Sequence, residues 1–215
     1  MLSSPIHRIV LATRNQGKVR EIEEIFRDVG VKLASLASLS IDGEIIEDGD
    51  TFLENALIKA RTTHRWTGFP AIADDSGLEV DALDGSPGVH SARFTGSECD
   101  DASNNAELLQ LLLGVPSAKR TARFRCVVAL ASDNDEHWVE GSCEGVILEN
   151  YRGLNGFGYD PLFYVPEKSK TFAEMSTEEK NAISHRGRAF RKMASYILSL
   201  NQLVAESTRG VAQPG

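Results

Sequence analysis

Apolar residues recur along this chain in two rhythms, and the changes of rhythm mark its elements. Ile9-Val10-Leu11-Ala12 is a short unbroken apolar run, the pattern of a buried strand. Behind it Val19, Ile22, Ile25, Phe26 and Val29 recur at helical spacing until Gly30, a natural C-terminal stop. Thr51 and Glu54 have capping-box spacing, so a second helix is predicted to start there and run towards Arg65. Its buried stripe is expected to be Leu53, Ala56, Leu57 and Ala60, with Asn55 and Lys59 stacked four apart beside it. Pro70-Ala71-Ile72 and Leu78-Glu79-Val80 read as strand-like segments on either side of a bend at Ala73-Asp74-Asp75-Ser76-Gly77. A leucine-rich helix is predicted from about Asp101 to Gly114, then a strand from Thr121 to Ala131, a hairpin turn at Asp133-Asn134-Asp135 and a strand through Trp138, Val139 and Gly141. Ser176 and Glu179 form a second capping box. The stretch from Ile183 to Arg188 interrupts the helical pattern before a last amphipathic helix carrying Phe190, Met193, Ile197 and Leu198. Residues beyond about 205 read as a disordered tail.

With 215 residues, 41% of them hydrophobic, the chain suits one large domain or two closely packed lobes better than two independent domains. The net charge of -8 argues against a general nucleic-acid binder, because phosphate-backbone affinity needs a field of Lys and Arg. Any anionic ligand must then be met by a local cluster or a metal. Cys99, Cys126 and Cys143 are widely spaced and lack the pairing of a zinc site, so they read as reduced thiols of a cytosolic protein. No run is long enough to span a bilayer.

The densest candidate chemistry is Asp74-Asp75. Adjacent like charges are costly unless a cation shares them, and hard oxygen ligands on a tight loop suit Mg²⁺. A plain turn is the alternative, since Asp, Ser and Gly are common turn residues. Between the first strand and helix, Thr13-Arg14-Asn15-Gln16-Gly17-Lys18 puts backbone N–H groups, a partial positive charge and Lys18 at one spot, an arrangement that binds phosphate. It is not a Walker loop, and an ordinary turn with a solvated lysine is the alternative. Arg93 is a candidate phosphate ligand or a surface arginine. Gly153 to Pro161 carries three glycines and two aromatics, which suits close approach to a ligand and stacking on a nucleobase, or an irregular loop with its aromatics in the core. His185-Arg186 at a helix break offers several donors to one acceptor-rich edge.

Five stretches taken in order, Thr13 to Lys18, Thr51 to Ala56, Ala73 to Leu78, Phe157 to Pro161 and Ser184 to Gly187, resemble the inosine triphosphate pyrophosphatase family, and the resemblance runs from about Ile9 to Leu200. It implies an elongated mixed β-sheet with flanking helices, two lobes around a central substrate cleft within residues 1–204, and a cytoplasmic homodimer. It also implies hydrolysis of ITP, dITP and XTP to monophosphate and pyrophosphate with Mg²⁺. By the same resemblance Thr13, Arg14, Asn15, Gln16, Gly17 and Lys18 meet the triphosphate, while Glu47, Asp74 and Asp75 hold metal and Asp75 activates water. Lys59, Ser76, Arg93 and Lys180 are further substrate contacts, and Phe157, Gly158, Tyr159, Asp160, His185 and Arg186 recognise the base. Arg14 departs from the glycine common at its position in that family. A Maf-type pyrophosphatase and a nucleotide sensor without turnover are the rival readings; His185-Arg186 argues against the first and Asp74-Asp75 against the second.

Overall fold

Strand-forming runs from both halves of the chain meet in one mixed sheet, an α/β arrangement. The computed structural model describes residues 5–96, 100–133 and 135–210. Among these, the strands are β1 (Arg8–Leu11), β2 (Lys32–Ser35), β3 (Ala71–Val80), β4 (Thr121–Ala131), β5 (Glu136–Ile147), β6 (Phe163–Val165) and β7 (Lys170–Thr171). They form a seven-stranded sheet in the order β2-β1-β3-β4-β5-β6-β7. β1 is parallel to β2 and β3, whereas β5–β6 and β6–β7 are antiparallel. The helices are α1 (Gln16–Phe26), α2 (Phe52–Thr67), α3 (Asp101–Leu111), α4 (Thr177–Ile183) and α5 (His185–Gly210). No helix among the described residues is long and apolar enough to cross a membrane.

The chain divides into two compact units, each assembled from separated stretches. The first comprises Met1–Asp75, Val127–Glu140 and Ala189–Gly215; the second comprises Ser76–Cys126 and Gly141–Arg188, so the backbone crosses from one to the other at four points.

In the first unit, Ile9, Val10 and Leu11 are buried as expected of a strand with parallel neighbours on both sides. α1 buries Val19, Ile22 and Phe26, and the Phe26 ring meets Phe190 of α5 edge-on at 6.4 Å. Asn201 of α5 both accepts from the Ile6 N–H (2.7 Å) and donates to the Ile6 carbonyl (2.9 Å), tying the start of the chain to its last helix. α2 opens with the predicted Thr51–Glu54 capping box. Its buried face is Phe52, Asn55, Ala56, Lys59, Ala60 and Thr63, so Asn55 and Lys59 lie on that face while Leu53 and Leu57 are half-buried. Partners for the amide and the ammonium make this burial tolerable.

The second unit has an aromatic core. Leu78, Leu108, Leu112, Phe163 and Phe172 are fully buried, and Phe124 packs on Phe163 (4.7 Å) and stacks on Phe172 (5.7 Å, 13°). Of the leucines on α3 and just after it, Leu108 and Leu112 are buried in this core and Leu109 packs against it, whereas Leu111 and Leu113 are exposed.

Two expectations are corrected. Asp74-Asp75 does not sit on a bend: β3 runs unbroken from Ala71 to Val80. Asp, Ser and Gly favour turns when nothing else claims the backbone, but here Ala71 and Ile72 pair with Val10 and Leu11, and the Leu78 N–H donates to Ser91 Oγ at 2.8 Å. The short strands β2, β6 and β7 went unpredicted because their pairing is non-local. α5 continues through Gly210, so residues 205–210 are helical rather than part of a tail; residues 211–215, together with Cys99 and Asn134 of the hairpin turn, lie outside the described residues.

Candidate active site

In the first unit, carboxylates and lysines from four separate segments converge. Lys18 near the start of α1 donates to Asp74 Oδ2 at 3.1 Å. Lys59, one turn beyond Asn55 on the buried face of α2, donates to Glu47 Oε2 at 2.6 Å and Asp75 Oδ1 at 3.0 Å. The other Asp75 oxygen accepts from Asn55 Nδ2 at 3.3 Å, and Asn55 Oδ1 accepts the Gly49 N–H at 2.9 Å. Asn55 thereby links the segment at Gly49, just after Glu47, to β3, a role signalled only by its spacing of four from Lys59. Thr13, Arg14, Lys18, Glu47, Lys59 and Asp74 line one cavity.

Electrostatics follow from this crowding. Burial pushes the Asp75 carboxyl above the usual carboxylate range; Lys59 pulls it back, Glu47 pushes it up again, and the Asn55 amide favours the charge. Burial alone would depress Lys59, but Asp75, Asp74 and Glu47 reverse this and hold its ammonium above the ordinary lysine value.

The α1 start differs from the phosphate cradle expected. Asn15 caps the helix, its Oδ1 accepting the Gly17 N–H at 2.8 Å and the Lys18 N–H at 3.2 Å, so two of the first N–H groups are already bonded. Asn15, Gln16 and Gly17 are exposed and do not line the cavity. Arg14 is exposed, yet its guanidinium is engaged: it donates to the carbonyls of Ile41 (3.0 Å) and Gly43 (2.5 Å), fastening the loop that leads to Glu47.

The residues fit a divalent cation in kind. Glu47 and Asp75 already share one positive charge at the Lys59 nitrogen, and all three candidate ligands offer hard oxygens. In this arrangement each of the three carboxylates gives one oxygen to an ammonium group, and among the described residues no group of three His, Cys, Asp or Glu side chains is set to hold a metal ion.

A separate pocket lies within the second unit, lined by Ser76, Phe124, Phe157, Asp160, His185 and Arg186 among others. The chain breaks at Ser184 and restarts as α5, which places His185 and Arg186 on its first turn, both buried to 5% exposure. Gly187 makes the break possible: a Cβ there would lie 2.1 Å from the Asn181 carbonyl oxygen. The His185 ring stacks on Phe124 at 4.7 Å and 11°. Arg186 donates to Ser76 Oγ at 3.1 Å and lies 5.8 Å from the centre of the Phe157 ring. Lys180 donates to the buried Asp160 carboxylate at 2.5 Å and lies over Phe157 at 4.7 Å, so it belongs to this pocket and its charge is met there. The Phe157 ring is half exposed, whereas Tyr159 is buried with its hydroxyl donating to the Ser91 carbonyl at 2.9 Å. Burial, with Asp101 nearby, pushes the Tyr159 phenol up, which keeps that donor in place.

Arg93 is exposed at the end of a 3₁₀ turn (Gly88–Arg93) and lines neither cavity. Ser91, Phe124 and Asn104 line the second pocket without having been singled out in the sequence, because nothing local distinguishes them from core or surface residues.

A family model described as the Ham1 family matches residues 9–196. The chain is 56% identical over 186 residues to a protein of Desulforamulus reducens named dITP/XTP pyrophosphatase, covering 86% of this chain and 92% of that one. A protein of the same name from Geobacter sulfurreducens is 52% identical over 191 residues, covering 88% and 96%. Among solved structures, a HAM1 protein from Coxiella burnetii matches with a TM-score of 0.84 at 43% identity, covering 90% of this chain and all (100%) of that one.

Proposed function

We propose that this chain, which belongs to the Ham1 family, hydrolyses deaminated purine nucleoside triphosphates such as ITP, dITP and XTP to the nucleoside monophosphate and pyrophosphate. One observation carries the reading: Glu47, Asp74 and Asp75 gather on the ammonium groups of Lys18 and Lys59. Such a cluster is poised for partner exchange. Phosphoryl oxygens can take over the lysines, and the carboxylates so released can serve a cation or a water molecule. The names borne by the relatives from Desulforamulus reducens and Geobacter sulfurreducens support the substrate class.

Glu47, Asp74 and Asp75 would hold Mg²⁺, which when bound neutralises charge on the phosphoryl oxygens. Asp75 orients the attacking water and takes its proton as the water oxygen bonds to the α-phosphorus and the bond to the bridging oxygen breaks, releasing pyrophosphate. Lys18 and Lys59 meet charge developing on the transferring group and on the leaving pyrophosphate. In the second unit, Phe157 offers a face for the purine, and His185 and Arg186 offer donors to its 6-oxo group. The same reading includes a homodimer acting on the cytoplasmic nucleotide pool.

The test is product analysis with dITP and XTP in the presence of Mg²⁺ and after its removal by EDTA. Stoichiometric pyrophosphate and monophosphate, lost on chelation and restored by Mg²⁺, are expected. Release of orthophosphate, or turnover indifferent to chelation, overturns the assignment of these carboxylates.

A further inference from the structure

Two adjacent asparagines of α3, Asn104 and Asn105, are each only 3% exposed, although the helix carries leucines that bury without cost. A buried amide is unfavourable unless its hydrogen bonds are met, so each invites the question of what it holds. Asn104 Oδ1 accepts from both the Thr95 N–H and the Thr95 hydroxyl at 3.0 Å, and its Nδ2 donates to the Ala92 carbonyl at 3.3 Å. Asn105 Nδ2 donates to the carbonyls of Asp101 and Gly158, both at 2.8 Å. Asp101 completes the grip, its Oδ2 accepting the Gly158 N–H at 2.6 Å. Both faces of one peptide residue in the glycine-rich loop are therefore held by the first turns of α3.

Gly158 is where such a grip acts most strongly. It adopts φ +58°, so the turn it makes is reserved for glycine, and its neighbours are the half-exposed Phe157 and the buried Tyr159 and Asp160. The Phe157 N–H donates to Asp160 Oδ2 at 3.0 Å, the oxygen that also receives Lys180. Fixing the Gly158 peptide thus constrains the turn that runs from Phe157 to Asp160. Asn105 Oδ1 is buried without a hydrogen-bond partner, which marks a residue poorly explained by stability.

We propose that Asn105 is a positioning residue for nucleotide recognition: with Asp101 it clamps Gly158 and so sets where the Phe157 face stands to receive the base. The proposal deepens the reading that this pocket takes the purine, and it rests on that reading. Asn105 touches no substrate itself; it acts through the turn.

The experiment compares the parent with Asn105→Ala, with the isosteric Asn105→Asp, which sets an acceptor against the Gly158 carbonyl, and with Leu108→Val, which loosens the same helix in the core while leaving the hydrogen bonds to Gly158 in place. Amide hydrogen exchange across 154–160, melting temperature, and KM and kcat for dITP are measured on each. Both Asn105 variants are expected to exchange faster over this segment and to raise KM roughly three- to tenfold, the span of one lost hydrogen bond, with kcat held within about twofold. Leu108→Val is expected to lower the melting temperature while leaving KM and the exchange of this segment unchanged. An equal KM rise in Leu108→Val, or parent-like KM in both Asn105 variants, overturns the proposal while the functional reading stands. Absence of dITP turnover in the parent overturns the functional reading and, with it, the claim on nucleotide recognition; unchanged exchange in both Asn105 variants overturns the clamp.

Discussion

Asp75 has each carboxylate oxygen engaged by a different donor, Lys59 on one side and Asn55 on the other. Asp75→Asn keeps the volume but turns one oxygen into a donor facing a donor and removes the charge that, in the proposed mechanism, takes a proton from water. Its kcat on dITP at saturating Mg²⁺ should fall by about 10²–10⁴-fold, the usual contribution of a general base, with the circular dichroism spectrum unchanged. A near-parent kcat would remove Asp75 from the chemistry. At this scale the sequence was most informative where a letter carries its own chemistry: Lys18, Glu47, Lys59, Asp74 and Asp75, each named from its charge, lie together in ion pairs. It was least informative where the partner decides the role. Lys180 finds Asp160 twenty positions back, Arg14 finds two loop carbonyls, and Asn105 looks like a surface residue until its burial is seen. None of these pairings leaves a local trace.

The helices were legible because their signals are local. The Thr51–Glu54 and Ser176–Glu179 boxes form as read, with the Glu54 N–H donating to Thr51 Oγ1 at 3.1 Å and the Glu54 carboxylate accepting the Thr51 N–H at 3.0 Å. Thr51→Ala should therefore cost about 1 kcal/mol, which for a chain of this size lowers Tm by about 2–4 °C, and Thr51→Ser should restore most of it. Differential scanning calorimetry of the two variants checks this; equal loss in both would mean the hydroxyl cap contributes nothing. Strands were less legible. β3 contains a turn-like string, and only its neighbours in the sheet hold it extended, while β6 and β7 have three and two residues, too few for any periodicity to show.

For the molecule as a whole, the resemblance read from ordered motifs agrees with the family match over residues 9–196 and with the mixed sheet observed. Discrimination among nucleotides is a property at this scale, because ATP and GTP compete for the same enzyme. Donors from His185 and Arg186 would face the 6-amino group of adenine donor to donor, so kcat/KM for ITP should exceed that for ATP by about 10⁴–10⁵-fold. His185→Ala and Arg186→Ala should narrow the gap mainly by lowering the value for ITP, and comparable values for ATP and ITP in the parent would point to a general nucleoside triphosphate pyrophosphatase. The four crossings of the backbone between its two units bear on how the protein is made. A ribosome that has reached Arg188 has delivered every residue of the second unit, yet the first still lacks α5 beyond that point and with it Phe190 and Asn201. The stretch bearing Lys18, Glu47, Lys59 and Asp75 is thus synthesised before the second unit but must wait for residues beyond Arg188 before its own packing is complete. An intermediate of translation should accordingly show protease resistance in the second unit first, although the first unit's opening stretch emerges before it.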